Sequence, residues 1–61
     1  MMAPKQAETV EYNHEGTWCY ALIEKEGVGG PGNYDLIVFP DTSPVERFSN
    51  VPQGDESGHW R

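Results

Sequence analysis

Hydrophobic and polar positions alternate in short runs along this chain, and turn-forming residues separate the runs. Thr9-Val10-Glu11-Tyr12 is a brief alternating patch and reads as a short edge strand. Asn13-His14-Glu15-Gly16 follows as a turn, because Asn and Gly tolerate turn backbone angles. Thr17-Trp18-Cys19-Tyr20-Ala21-Leu22-Ile23-Glu24-Lys25-Glu26 opens with aromatic and β-branched residues, which favour a strand. In a strand, Trp18, Tyr20, Leu22 and Glu24 share one face, and Cys19, Ala21, Ile23 and Lys25 the other. A helix is the rival over 21–26, where good helix formers cluster, but the run is short and aromatic.

Residues 27–33, Gly-Val-Gly-Gly-Pro-Gly-Asn, form a loop by composition, since four glycines and a proline disfavour regular structure. A phosphate-cradling loop is the functional alternative. It needs a following helix and a Gly-Lys-Ser/Thr motif, so a flexible hairpin connection is the better reading. Tyr34-Asp35-Leu36-Ile37-Val38-Phe39 is the strongest strand, apolar enough for burial on both faces or for tight packing in a barrel. Pro40 ends it and Asp41-Thr42-Ser43-Pro44 turns the chain. Val45 to Val51 alternates imperfectly and pairs with 34–39 in this reading. A second turn-rich stretch spans 52–58, and His59-Trp60-Arg61 closes the chain as a final strand or a tucked end. Short strands with Gly- and Pro-rich turns predict an all-β fold, either a small SH3-like barrel or a strongly bent antiparallel sheet. Residues 1–61 form a single domain, with 1–11 as an extended N-terminal arm.

Length bears on stability. A chain of 61 residues buries a smaller share of its surface than a larger domain does and has a marginal core. Domains of this size usually carry a disulfide, a metal or a partner. Cys19 is the one cysteine, which excludes an intrachain disulfide and a Cys-rich zinc site. His14 and His59 match no metal-ligand spacing. Homo-oligomerisation, or docking on a larger body, is left as the stabilising device, and no cofactor is expected. Ten acidic residues against four Lys and Arg give a net charge of −6, which argues against direct DNA binding and against anionic membranes. No apolar run is long enough to span a membrane as a helix, and no signal core is visible. The simplest location is the bacterial cytoplasm, or a particle built there.

The segment Tyr34 to Asp41 ends in Val38-Phe39-Pro40-Asp41 and is followed by Ser43-Pro44, Ser49-Asn50-Val51-Pro52-Gln53-Gly54 and Gly58-His59-Trp60. This set resembles a group of short phage and prophage proteins with a Val-Phe-Pro-Asp strand end, a Val-Pro-x-Gly turn and a terminal Gly-x-Trp. The resemblance covers roughly residues 18–60. The chain departs from the pattern in its longer 27–33 insert and in closing at Arg61, where members often continue with an aromatic and a proline. The resemblance implies a viral origin and carries no activity with it.

Candidate chemistry follows the aromatics. His14, Cys19, His59, Ser49 and the carboxylates form no nucleophile elbow, Cys-His signature or paired-carboxylate motif, so the expectation is not an enzyme. Cys19 reads as a small buried hydrophobe. Trp18, Tyr20, Tyr34, Phe39, Phe48 and Trp60 are many rings for the length. Core packing accounts well for Phe39 and tolerably for Tyr34 and Phe48, and less readily for Trp18 and Trp60. Those two can form a stacking platform or an interface anchor. Arg47, with His59, Trp60 and Arg61, can meet phosphate or carboxylate, although Arg47 alone can equally pair with a surface acid. The ligand-binding set is therefore Trp18, Tyr20, Arg47, Ser49, His59, Trp60 and Arg61. Two functions fit it: a sponge that sequesters cyclic-nucleotide immune signals between subunits, and a virion component that decorates a capsid or serves a head or tail. An acidic inhibitor of a host nucleic-acid enzyme ranks last, because the acids are scattered.

Overall fold

The computed structural model describes residues 8–61. Four strands, β1 (Thr9–His14), β2 (Thr17–Glu26), β3 (Tyr34–Phe39) and β4 (Glu46–Val51), form one antiparallel sheet in the order β1-β2-β3-β4. The fold is all-β, and the four strands do not close into a barrel. Among the described residues no helix is long and apolar enough to cross a membrane. The N-terminal arm expected over 1–11 falls mostly outside the described residues, while Thr9, Val10 and Glu11 belong to β1.

β1 and β2 join through Glu15 and Gly16, both at positive φ (54° and 93°). Two successive residues in that region make the tight turn whose twist matches a hairpin. Asn13 has a different role from the turn residue expected. It is buried in β1, accepts the Gly16 N–H on its Oδ1 at 2.7 Å and donates from Nδ2 to the Asp55 carbonyl at 3.1 Å. It thus fixes the hairpin and ties the 55–58 turn to the sheet.

The 27–33 connection, expected to be flexible, is bonded throughout. Gly27 donates to the Asn33 carbonyl (2.7 Å), Gly29 to Asn50 Oδ1 (2.7 Å) and Asn33 Nδ2 to the Gly29 carbonyl (3.2 Å). Asn50 reaches this position through a ladder irregularity between Tyr34 and Leu36. There it adopts φ 57° and donates its N–H to Asp35 Oδ1 at 2.8 Å.

The inner face of the sheet carries the core: Tyr12, Cys19, Ala21, Ile23, Tyr34, Leu36, Val38, Val51 and Trp60. β3 alternates buried and half-buried positions, so only one of its faces is fully covered. The C-terminal tail completes the covering. Glu11 and Arg61 exchange N–H···O bonds at 3.0 and 2.9 Å, and Asn13 donates to the His59 carbonyl at 2.8 Å. On its other side the tail bonds the segment after β4, with Trp60 N–H to the Pro52 carbonyl (3.0 Å) and Gly54 N–H to the Trp60 carbonyl (2.9 Å). A Cβ at Gly54 would sit 3.0 Å from His59 Nδ1, so a larger residue there would press on the His59 ring.

Tyr12 stacks on Phe48 at 4.9 Å, and its phenol is held above the ordinary pKa of 10.0, first by burial and then by the Glu46 carboxylate. Both causes penalise the phenolate in the folded state alone. The resulting stability is fully present below the unfolded value of 10.0 and is lost as pH rises through the higher folded value. Denaturant melts at rising alkaline pH should therefore show a stability loss that is smaller in Tyr12→Phe than in the parent. Equal slopes would refute this assignment.

Candidate functional site

Strand alternation sends one set of side chains away from the core. Register places these residues in rows across the outer face: Thr9, Leu22, Ile37 and Arg47 in one, Glu11, Tyr20 and Phe39 in the next, and Trp18 in the third, where its register partner Asn13 is buried against the 55–58 turn. The middle of the face is apolar. Tyr20 is 54 % exposed, its ring lies 5.4 Å from Phe39, and Trp18, Leu22, Ile37 and Phe39 are half-buried. A large apolar patch with a polar rim marks a recognition surface more often than a solvated sheet face does.

The rim is charged and internally paired. The Arg61 guanidinium lies over the Trp18 ring, 3.8 Å from its centroid, and its Nε donates to Glu11 Oε1 at 2.9 Å. At the β4 margin Arg47 Nε is 3.8 Å from Glu24 Oε2, and between the central strands β2 and β3 Lys25 Nζ is 3.9 Å from Asp35 Oδ2. Exposed pairs of this kind contribute about 0–1 kcal/mol, so a ligand anion can displace the carboxylates. The contact with Trp18 is worth roughly 0.5–2 kcal/mol and holds the Arg61 guanidinium over the ring. Beside it, Thr9, Val10, Glu11, Tyr20 and Arg61 line a shallow, open cleft of about 390 Å³.

Trp18, Tyr20, Arg47, Ser49 and Arg61 all belong to this face or its β4 margin, and Arg47, Ser49 and Arg61 are exposed. The predicted cluster of Arg47, His59, Trp60 and Arg61 is not assembled. Arg47 lies on β4 and Arg61 beside β1, at opposite margins of the sheet. Trp60 is 5 % exposed, packs edge-on against Tyr34 at 5.3 Å and donates Nε1–H to the Gly32 carbonyl at 2.9 Å. It is a core residue rather than a platform, because alternation along the tail turns it inward while Arg61 turns out. His59 is half-buried over Gly54, with Nδ1 enclosed and no hydrogen-bond partner for it among the described residues. Leu22, Ile37 and Phe39 are surface members that sequence reasoning did not assign. For Leu22 the available signal was its parity with Tyr20, while Ile37 and Phe39 join the face through the β2–β3 register.

A second cleft, of about 420 Å³, lies between the first hairpin and the β3–β4 turn and is lined by His14, Cys19 and Asp41 among others. Its Cys19 is buried, with Sγ–H directed at the Thr17 carbonyl (3.6 Å), so no reactive thiol faces solvent. No family model, curated protein or solved structure matches the chain.

Proposed function

We propose that the chain is a non-enzymatic binding protein that recognises its ligand on the outer face of the sheet, and that the ligand class is a nucleotide. The observation that carries this is the aromatic group on the outer face, Tyr20 beside Phe39 in one row and Trp18 in the next, with Arg61 stacked on Trp18 and Arg47 at the β4 margin. A base has a flat face for the rings, and its phosphates suit a guanidinium fork. A net charge of −6 disfavours long nucleic acid but not a small ligand that meets one local cation. With the resemblance to phage proteins, this becomes a sponge that soaks up cyclic-nucleotide signals of bacterial defence. One copy presents the face open, so enclosing a nucleotide takes a second body.

Thermal-shift and calorimetric titration with a panel of cyclic di- and trinucleotides tests the reading. Tyr20 is more than half exposed, so Tyr20→Ala should leave the melting temperature nearly unchanged. It should weaken binding about tenfold, because stacking on one base is worth ~1–3 kcal/mol. No stabilisation by any member of the panel removes the proposal.

A second reading is favoured by the pairing of both outer-face arginines with carboxylates. In it the apolar row docks on a protein of a virus particle, with the arginines holding the rim in place. Mass spectrometry of purified particles tests this reading, and absence from the particle ends it.

A further inference from the structure

The sheet has two margins, and they are treated differently. At the β1 margin the tail takes the outward groups of Glu11 and Asn13. Those bonds fix the alternation for the whole sheet. Odd residues of β1 face the tail, so even ones face β2. Carried through the partners Val10↔Ala21, Leu22↔Ile37 and Leu36↔Phe48, this leaves even residues of β4 facing β3. The N–H and C=O groups of Arg47 and Ser49 therefore point out of the sheet, and among the described residues nothing bonds them. Such an edge is a template for another strand.

We infer that the open edge of β4 pairs with the β4 edge of a second copy, antiparallel and about a two-fold axis through Phe48. The edge is self-complementary in that register. Arg47 faces the partner's Ser49 and Ser49 faces the partner's Arg47, which gives four backbone bonds with no like charges opposed. Phe48, half-buried and stacked on Tyr12, meets the partner's Phe48 on the inner side and loses its remaining exposure. Val45, 56 % exposed, lies at the entry to the same seam. Each copy brings one acid and one base to the contact, Glu46 and Arg47, so the seam is neutral although the chain is acidic. Asn50, at φ 57°, and Pro44 bound the pairable stretch, which limits it to one register and blocks growth into a longer ribbon. The closed two-fold pairing also supplies the partner that a core this small calls for. It brings two Arg47 and two Ser49 side chains to the middle of a continuous outer face. The pairing stands on the edge geometry and is independent of what that face binds.

The test is sedimentation velocity over a concentration series, together with amide hydrogen exchange, both without nucleotide. A dimer is expected, tightened by added salt because the copies repel at long range. The Arg47 and Ser49 amides should be protected in proportion to the dimer fraction. Ser49→Pro removes an outward N–H that the monomer does not use, and it should raise the dissociation constant about tenfold or more. A protein that stays monomeric at its highest soluble concentration overturns the inference. So does a dimer in which these two amides exchange fast, and that readout holds even where Ser49→Pro fails to fold. Because no ligand is present, either failure leaves the reading of the outer face to be decided by its own titration.

Discussion

Replacing Trp60 by alanine should remove about a third or more of the protein's stability and lower its melting temperature sharply. A domain of 61 residues has roughly 3–9 kcal/mol of stability in total, at the usual value per residue. Emptying a buried Trp site costs about 3–5 kcal/mol. The substitution also strips the Gly32 carbonyl of its donor and Tyr34 of its edge-on partner. Trp60 further sits where the tail bonds β1 on one side and the 52–54 segment on the other. Loosening it releases both margins of the core together, so the loss falls on the whole fold. Circular dichroism and urea titration check this. Trp60→Phe keeps a ring in the site and loses the Gly32 bond, so it should fall between parent and alanine. An alanine variant that melts like the parent would show that the tail does not hold the sheet.

Gly27→Ala is the second large effect. Gly27 is buried, and a Cβ there would lie 2.8 Å from Asn50 Oδ1, 2.9 Å from Asn50 Cα and 3.0 Å from the Asn33 carbonyl. Two of those atoms are backbone and cannot swing aside. Asn50 is also held in place, by the Asp35 carboxylate on its N–H and by Gly29 on its Oδ1. The clash must therefore be taken up by moving the loop off β4, at about 2–3 kcal/mol of overpacking. In a domain of this size that lowers the melting temperature by roughly 10–20 °C. Val28, 99 % exposed in the same loop, provides the control: Val28→Ala should change little. Equal melting temperatures for the two variants would mean that the 27–33 loop is not fixed to Asn50.

These two sites show where sequence reasoning reaches and where it stops. The strands at 17–26 and 34–39 are legible because β-branched and aromatic residues run between strong turn signals, and their observed bounds agree with the reading. The pairing of β3 with β4 follows from the short Pro-containing turn between them. Alternation also sorted Trp18, Tyr20 and Leu22 onto one side of β2. It could not say which side is covered, because that is decided by the tail, which returns from the far end of the chain to cap β1. Hence Trp60 read as an exposed terminal ring and Phe39 as core, whereas Trp60 is buried and Phe39 is half-buried on the outer face. Asn13 looked like a turn residue because its type is common in turns. Its buried bonds to Gly16 and Asp55 depend on a partner 42 positions away in the chain. The Gly-rich loop looked flexible by composition, whereas Gly27 and Gly29 leave the room in which Asn50 approaches.

The central claim is that recognition happens on the outer face. Residue-resolved NMR, titrating the labelled protein with the cyclic di- and trinucleotide panel, tests it most directly. The account predicts saturable shifts centred on Trp18, Tyr20, Leu22, Ile37, Phe39 and Arg61, with the Trp60 indole unmoved in the core. Shifts centred instead on the His14 and Asp41 cleft, or no shifts with any member of the panel, would contradict it.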